Sequence, residues 1–544
     1  MTKIYITFFM LLLSMNVYSQ NISGNFSIEA QTYKADSTIG AQSVDEQILS
    51  NAFLNLIYRN ENFEFGIRYE NYMNPLLGYD QRFQGQGIAY RYGKYLNDFL
   101  EITAGDFYEQ YGSGLILRAY EERALGLDNA IDGINFRINP IRGILLSGLI
   151  GKQRYFWNKG DGIVRGGNID LELNEIFEDI ITKDLLINLG ASVVSRFQNE
   201  YDPTLKLPEN VLSYSGRAGI VYNKFSIDLE YAYKYNDPNS TNKYNYNSGQ
   251  GLIITSSYST SGFGLLLSAH KLDNMDFRSD RNARANDLTI NYIPPLTKQH
   301  VYALAAIYPY ATKANGEAGI QSELTFKLPS GTILGGEYGT PININFSIVK
   351  SIDTTRIDKF TYDSPFFGIG DRIYFQDFNI DITRRITDNL KIGLTYLNQI
   401  YDKDIVENEG APFYGKVNSN ILIFDGTYNL TDNQAIRLEL QHLWSKQDST
   451  LKDLDFQNGN WAHILVEYTI APEWFFTFYD QYNYGNYFEQ AQVHYPNFSV
   501  AYFRNSTRLQ LSYGRQRGGI ICVGGVCRAV PASNGLYFSL TSSF

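Results

Sequence analysis

The densest concentration of reactive side chains in the sequence lies at residues 105–132. There Gly105-Asp106-Phe107-Tyr108-Glu109-Gln110-Tyr111-Gly112-Ser113-Gly114-Leu115 is followed by Arg118-Ala119-Tyr120-Glu121-Glu122-Arg123 and then Asp128-Asn129. Glu109, Arg118, Glu121, Glu122 and Arg123 stand among glycines in a stretch too long for a turn. Carboxylates and guanidinium groups so mixed are suited to ion pairing, and pairing offsets the cost of removing their charges from water. The expected arrangement is a loop that folds inward and pairs its charges there; a solvated surface loop is the other reading. The glycines do not form a nucleotide-binding fingerprint.

A second concentration is Arg515-Gln516-Arg517-Gly518-Gly519, followed by Cys522-Val523-Gly524-Gly525-Val526-Cys527-Arg528. Gly524-Gly525 suits a two-residue hairpin turn. Val523 and Val526 then form the hydrogen-bonded pair, and Cys522 faces Cys527 at the next pair, where the close Cα approach is compatible with a disulfide. A two-cysteine metal site is the other reading, and no histidine neighbours it.

Elsewhere the chemistry thins out. His270, His300, His442, His463 and His494 are scattered, without zinc-type spacing or a Ser/His motif. His442 lies on the apolar side of an alternating segment near Trp444, a position for interfacial packing. No catalytic residue, cofactor or metal site is expected. A net charge of −11 and a pI near 5.1 argue against nucleic acid as a partner.

The elements that carry these residues are preceded by an export signal. Lys3 supplies a basic start, residues 4–13 are apolar, and Val17-Tyr18-Ser19 ends a polar stretch on a small residue. Residues 1–19 are expected to be a cleavable secretory signal, too short for a spanning helix, with no cysteine near the cleavage point to carry a lipid. Delivery to an oxidising compartment favours the Cys522–Cys527 bond. Residues 20–544 have one even texture, with no Pro- or Ser-rich linker, no charge run and no separate N-terminal plug domain of the kind TonB-dependent transporters carry. Aromatic residues make up 15% of the chain, with 43 Tyr and 34 Phe, and no later apolar run is long enough for a membrane helix. In hydrocarbon only a helix or a closed barrel satisfies its own backbone. The composition therefore leaves a membrane barrel or a large exported all-β protein.

Alternation decides between them. Phe63, Phe65, Ile67 and Tyr69 alternate with Glu64, Gly66, Arg68 and Glu70. Phe225, Ile227, Leu229, Tyr231, Tyr233 and Tyr235 alternate with Ser226, Asp228, Glu230, Ala232 and Lys234, and the pattern returns at 390–396 and 436–444. Side chains alternate faces along a strand, so each segment has one apolar and one largely polar face; in an outer-membrane barrel these meet lipid and lumen. Tyr69, Tyr235 and Tyr396, at the ends of apolar rows, suit an interfacial girdle. Tight Asn-, Asp- and Gly-containing connections, such as Asn60-Glu61-Asn62, Asn223-Lys224, Pro329-Ser330-Gly331 and Arg504-Asn505-Ser506, alternate with longer polar ones at 34–46, 236–248, 351–370, 402–416 and 446–460. Short turns are expected at the periplasmic end and long loops outside. Leu536, Phe538, Leu540 and Phe544 share one face of the closing segment, which ends on that aromatic and resembles the signal read by the barrel-assembly machinery. The expected fold is all-β: a single transmembrane antiparallel up-and-down β-barrel of about 26 strands, its C-terminal strand ending in Phe.

The 105–129 and 522–531 segments resemble those of an uncharacterised family of outer-membrane β-barrels from Bacteroidota, a domain of unknown function. The resemblance implies the barrel and its place in the outer membrane, and it brings no substrate or activity. The residues themselves leave two functions. One is a porin-like channel for hydrophilic solutes, narrowed by the inward-folded loop. The other is an accessory barrel subunit of a surface-protein export or outer-membrane assembly machine, whose partners include an envelope protein complex as well as membrane lipid.

Overall fold

The computed structural model of the chain describes residues 21–178, 184–448, 455–523 and 526–544. The expected signal at 1–19, the Gly524-Gly525 turn and part of the 446–460 connection lie outside the described residues.

From Ile22–Gln31 to Ser533–Ser543, 24 antiparallel strands each pair with the strand before and the strand after, and the last pairs with the first. The sheet is thus a closed barrel, with Ile28 opposite Leu540 and Ala30 opposite Phe538 across the seam. Among the described residues no helix is long and apolar enough to cross a membrane.

The alternation read in the sequence sorts side chains between the two faces. In Phe63–Asn74, Phe63, Phe65, Ile67 and Tyr69 point outward and are exposed, while Arg68 and Glu70 point inward and are buried. Leu229, Leu394, Leu440 and Phe478 are likewise exposed on other strands. An apolar exterior around the whole ring has only lipid to cover it, so this is a barrel of the outer-membrane type. His442 follows the same logic: its ring lies 4.0 Å from that of Trp444, and the Tyr484 hydroxyl is 2.7 Å from its Nε2.

Connections at one end are mostly tight. Asn223 and Asn505 take φ of 54° and 53° there, left-handed values that asparagine tolerates better than most residues. Two depart from expectation: the turn placed at Pro329-Ser330-Gly331 extends over 329–339, and the connection after Asn158–Glu172 begins with the short helix Leu173–Ile176. At the other end lie the long connections, with the two-residue 156–157 link as an exception.

The count of 24 agrees with the expected number of about 26 to within two. The chain between Phe263–Asp273 and Gly316–Leu328 adds no strand to the wall; residues 274–315 fold into the lumen.

Candidate functional site

The lumen holds a plug made from the barrel's own connections. Residues 108–130 enter first. Gly112 and Gly114 take φ of 55° and 90°, which bends the chain so that the Ser113 amide donates to Glu230 at 2.7 Å. A Cβ at Gly112 would stand 2.6 Å from that carboxylate, so the left-handed turn favours glycine and any side chain there would displace Glu230. Leu115, Ile116 and Leu117 then pack on Val164, Val194, Val211, Ala232 and Leu272, inward-facing residues of five wall strands.

Charges fasten this segment to the wall. Arg154 pairs with Glu70 at 2.7 Å and with Asp128 at 2.6 Å, and Arg68 pairs with Glu70 at 2.7 Å, with Glu121 at 3.0 Å and with Asp128. Tyr108 donates to Asp128 at 3.1 Å. Arg68, Glu70 and Arg154 are all but inaccessible to water, and with Arg123 on Glu121 the network sets three guanidinium groups against three carboxylates. Buried charges persist only when paired in this way.

The five loop residues singled out in the sequence have distinct places. Glu109 accepts from Asn135 at 2.8 Å and from Arg137 at 2.9 Å. Glu121 pairs with Arg123 at 2.6 Å as well as with Arg68. Glu122 accepts from the Ala124 amide at 3.2 Å and caps the turn Arg123–Leu125. Arg123 also lies over the Phe53 ring. Arg118 departs from the expected pairing: among the described residues it has no ion pair, and its guanidinium lies between the Tyr120 and Tyr292 rings, 4.6 and 4.4 Å from their centroids. An aromatic face supplies the partner that a carboxylate supplies elsewhere.

Residues 274–315 fill the rest of the lumen. Their first part pairs with 108–130 through Arg118 N–H to Ile290 O (2.8 Å) and Tyr292 N–H to Gly114 O (3.0 Å), so the two connections form one body. Their second part carries Leu304, Ile307 and Tyr308 onto Phe375, Leu397, Tyr401, Val417, Leu443 and Trp461 of the opposite wall. Polar contacts fix its position: His300 Nε2 lies 2.6 Å from Asp377, Lys298 reaches Asp381, and the Leu304 amide donates to Gln441 at 2.8 Å. At its base His270 Nε2 lies 2.6 Å from Glu317, which also accepts from the Lys313 amide at 2.6 Å.

The hairpin of Gly519–Val523 and Val526–Val530 sits over both parts. Cys522 and Cys527 are joined in a disulfide with Cα atoms 4.1 Å apart, facing each other in the expected register beside the Val523–Val526 pair. Asn286 donates to Cys527 O at 2.9 Å and Gln299 to Cys522 O at 3.4 Å, while Arg528 lies 4.0 Å above the Tyr79 ring. At the closing strand Phe538, Leu540 and Phe544 stay on the outer face, and Phe544 exchanges two backbone hydrogen bonds with Gly24, at 2.8 and 2.9 Å.

Sequence reading missed the 274–315 segment. The signal was there: Ile293-Pro294-Pro295 and Tyr308-Pro309 interrupt any strand through this stretch, since proline removes a ladder donor. It also missed Arg68, Glu70 and Arg154 as anchors, because inward-facing polar residues of wall strands look alike until their partner is known.

The whole chain, residues 1–544, matches the model of a family of unknown function, DUF6029, and belongs to that family. None of the curated proteins matches it. Among solved structures, the siderophore receptor PirA from Pseudomonas aeruginosa is similar over 97% of this chain and 81% of its own, at 10% identity and a TM-score of 0.42. The translocation pore of the P pilus usher PapC is similar over 96% of this chain and 98% of its own, at 8% identity and a TM-score of 0.40. The outer membrane transporter YddB from Escherichia coli is similar over 97% and 81%, at 7% identity and a TM-score of 0.38. Likeness at this level is one of barrel architecture, and no function is taken from it.

Proposed function

We propose that the chain is exported by its N-terminal signal, inserted into the outer membrane through the strand that carries Phe538, Leu540 and Phe544, and acts there as a porin-like channel for small hydrophilic solutes gated by its own plug. The observation that carries this reading is the change in the lumen along its axis. Toward the short-turn end inward-facing Asn188 and Asp228 are exposed, whereas Val194 and Ala232, farther along the same faces, are covered by the plug. A polar vestibule therefore ends at segments 108–130 and 274–315. Beside the plug a cavity of about 440 Å³ is bordered by Lys94, Glu101, Glu121, Arg123 and Arg137, charges that would act on ions and polar solutes in passage. The reading assigns no catalysis and no cofactor.

Liposomes containing the purified barrel test it. Swelling in arabinose but not in dextran is the expected result, and vesicles that swell in neither defeat the channel. A second reading, an accessory barrel subunit in an export or assembly complex, is favoured by Leu115, Ile116 and Leu304, which are fully buried and seat the plug firmly. Stoichiometric partners on affinity purification from native membranes, together with absence of swelling, support that reading.

A further inference from the structure

Under the disulfide hairpin lies a cavity of about 230 Å³, walled by the second part of the 274–315 segment, by the hairpin and by inward residues of the barrel. In a chain of net charge −11, no aspartate or glutamate lines it. Three cation-forming residues do, and two are already engaged: Lys298 by Asp381, His300 by Asp377. The third is Arg517, in the link between Thr507–Gln516 and the hairpin, and among the described residues it has neither an ion pair nor a hydrogen bond. Arg68, Arg154, Arg137 and Arg437 all meet carboxylates within the lumen. Burial pushes the Arg517 guanidinium below the ordinary arginine range, a cost that an anionic guest would remove.

The rest of the wall describes the guest's other parts. Gln399 is buried; its amide nitrogen donates to Asp377 at 2.9 Å, but its oxygen has no partner and needs a donor. An orphaned buried acceptor of this kind is uncommon in a folded protein. Tyr310 and Phe375, stacked with centroids 5.1 Å apart, and Ile520 and Ile521 offer apolar surface. We infer that this cavity is a binding site for a small carboxylic acid: its carboxylate on the Arg517 fork, a hydroxyl donating to Gln399, and a ring or short apolar body between Phe375 and the hairpin. A planar fork of donors matches a carboxylate in a way that an ammonium group does not.

Isothermal titration of the full-length barrel in detergent with 4-hydroxybenzoate tests the site independently of conduction. Saturable binding at one site per chain is expected. Arg517→Gln should weaken it at least tenfold, and Arg118→Gln, which alters an equally unpaired arginine seated on rings elsewhere, should leave it unchanged. Ala306→Leu fills the cavity and keeps the charge, so it should abolish binding while heat-modifiable migration stays normal. Inorganic phosphate should compete weakly, and benzoate, which lacks the hydroxyl, should bind more weakly than 4-hydroxybenzoate. Absence of saturable binding to the unaltered protein overturns the site, as does unchanged binding in both Arg517→Gln and Ala306→Leu. Phosphate binding as tight as that of 4-hydroxybenzoate overturns the carboxylic-acid assignment. Failure of liposomes to swell would leave these titrations unaffected.

Discussion

On the side of the lumen walled by Phe63–Asn74 and Ile144–Tyr155 the plug is fastened by arginine–carboxylate pairs, whereas on the side walled by Ile369–Arg385 and Trp461–Ile470 it rests mainly on aliphatic and aromatic side chains, with one lysine–carboxylate pair and a few histidine and amide contacts. The first arrangement is exacting, because loss of one partner strands a buried charge. The second is forgiving, because apolar residues of similar volume can exchange with small loss. One lumen thus uses two kinds of fastening, and each fails in its own way.

The largest effect expected is from Arg154→Met, which leaves Glu70 and Asp128 sharing Arg68 alone. Hydrogen exchange in detergent should show 108–130 opening more easily by about 4 kcal/mol. Adding Glu70→Gln should recover much of that loss. If 296–310 loosens equally, the two halves are one cooperative unit and the contrast collapses.

Next comes Leu304→Ala, at a fully buried position on the apolar side. It should ease exchange of 296–310 by about 3 kcal/mol, while Leu304→Met costs less than about 1.5 kcal/mol. Similar losses for both substitutions would show that side to be as exacting as the other. His300→Gln keeps a donor near Asp377 and should cost about 1 kcal/mol in the same measurement.

Smallest is Glu122→Gln, which keeps an oxygen for the Ala124 amide and should change stability by less than about 0.5 kcal/mol. Glu121→Gln, between Arg68 and Arg123, should shift selectivity in planar bilayers away from cations, and Glu122→Gln should add little to that shift. An equal contribution from Glu122 would place the conducting path elsewhere.

Much of the wall was legible because a two-residue period is a local property. Phe63, Phe65 and Ile67 against Glu64 and Arg68 suffice to separate outside from inside, and Asn223 and Asn505 mark turns by their own backbone preference. Cys522 and Cys527 could be paired because a two-residue turn determines which residues face each other. The plug was legible only in part. The charges of 108–130 betray an inward fold, yet their partners Arg68 and Arg154 are 60 and 26 residues from Asp128 in sequence, and only closure of the barrel brings them to it. Leu304 and Ile307 lack the regular period that would have revealed their role, since a segment packed from several sides need keep none.

The seam also governs closure. Ser533–Ser543 alone joins Thr507–Gln516 to Ile22–Gln31. Without its pairing the sheet has two free edges, yet segments 108–130 and 274–315 still pack on strands well away from that line. The plug is in that sense a mandrel, a form that holds the sheet to its circumference from within. A barrel weakened at the seam would then open along one line and stay curled elsewhere.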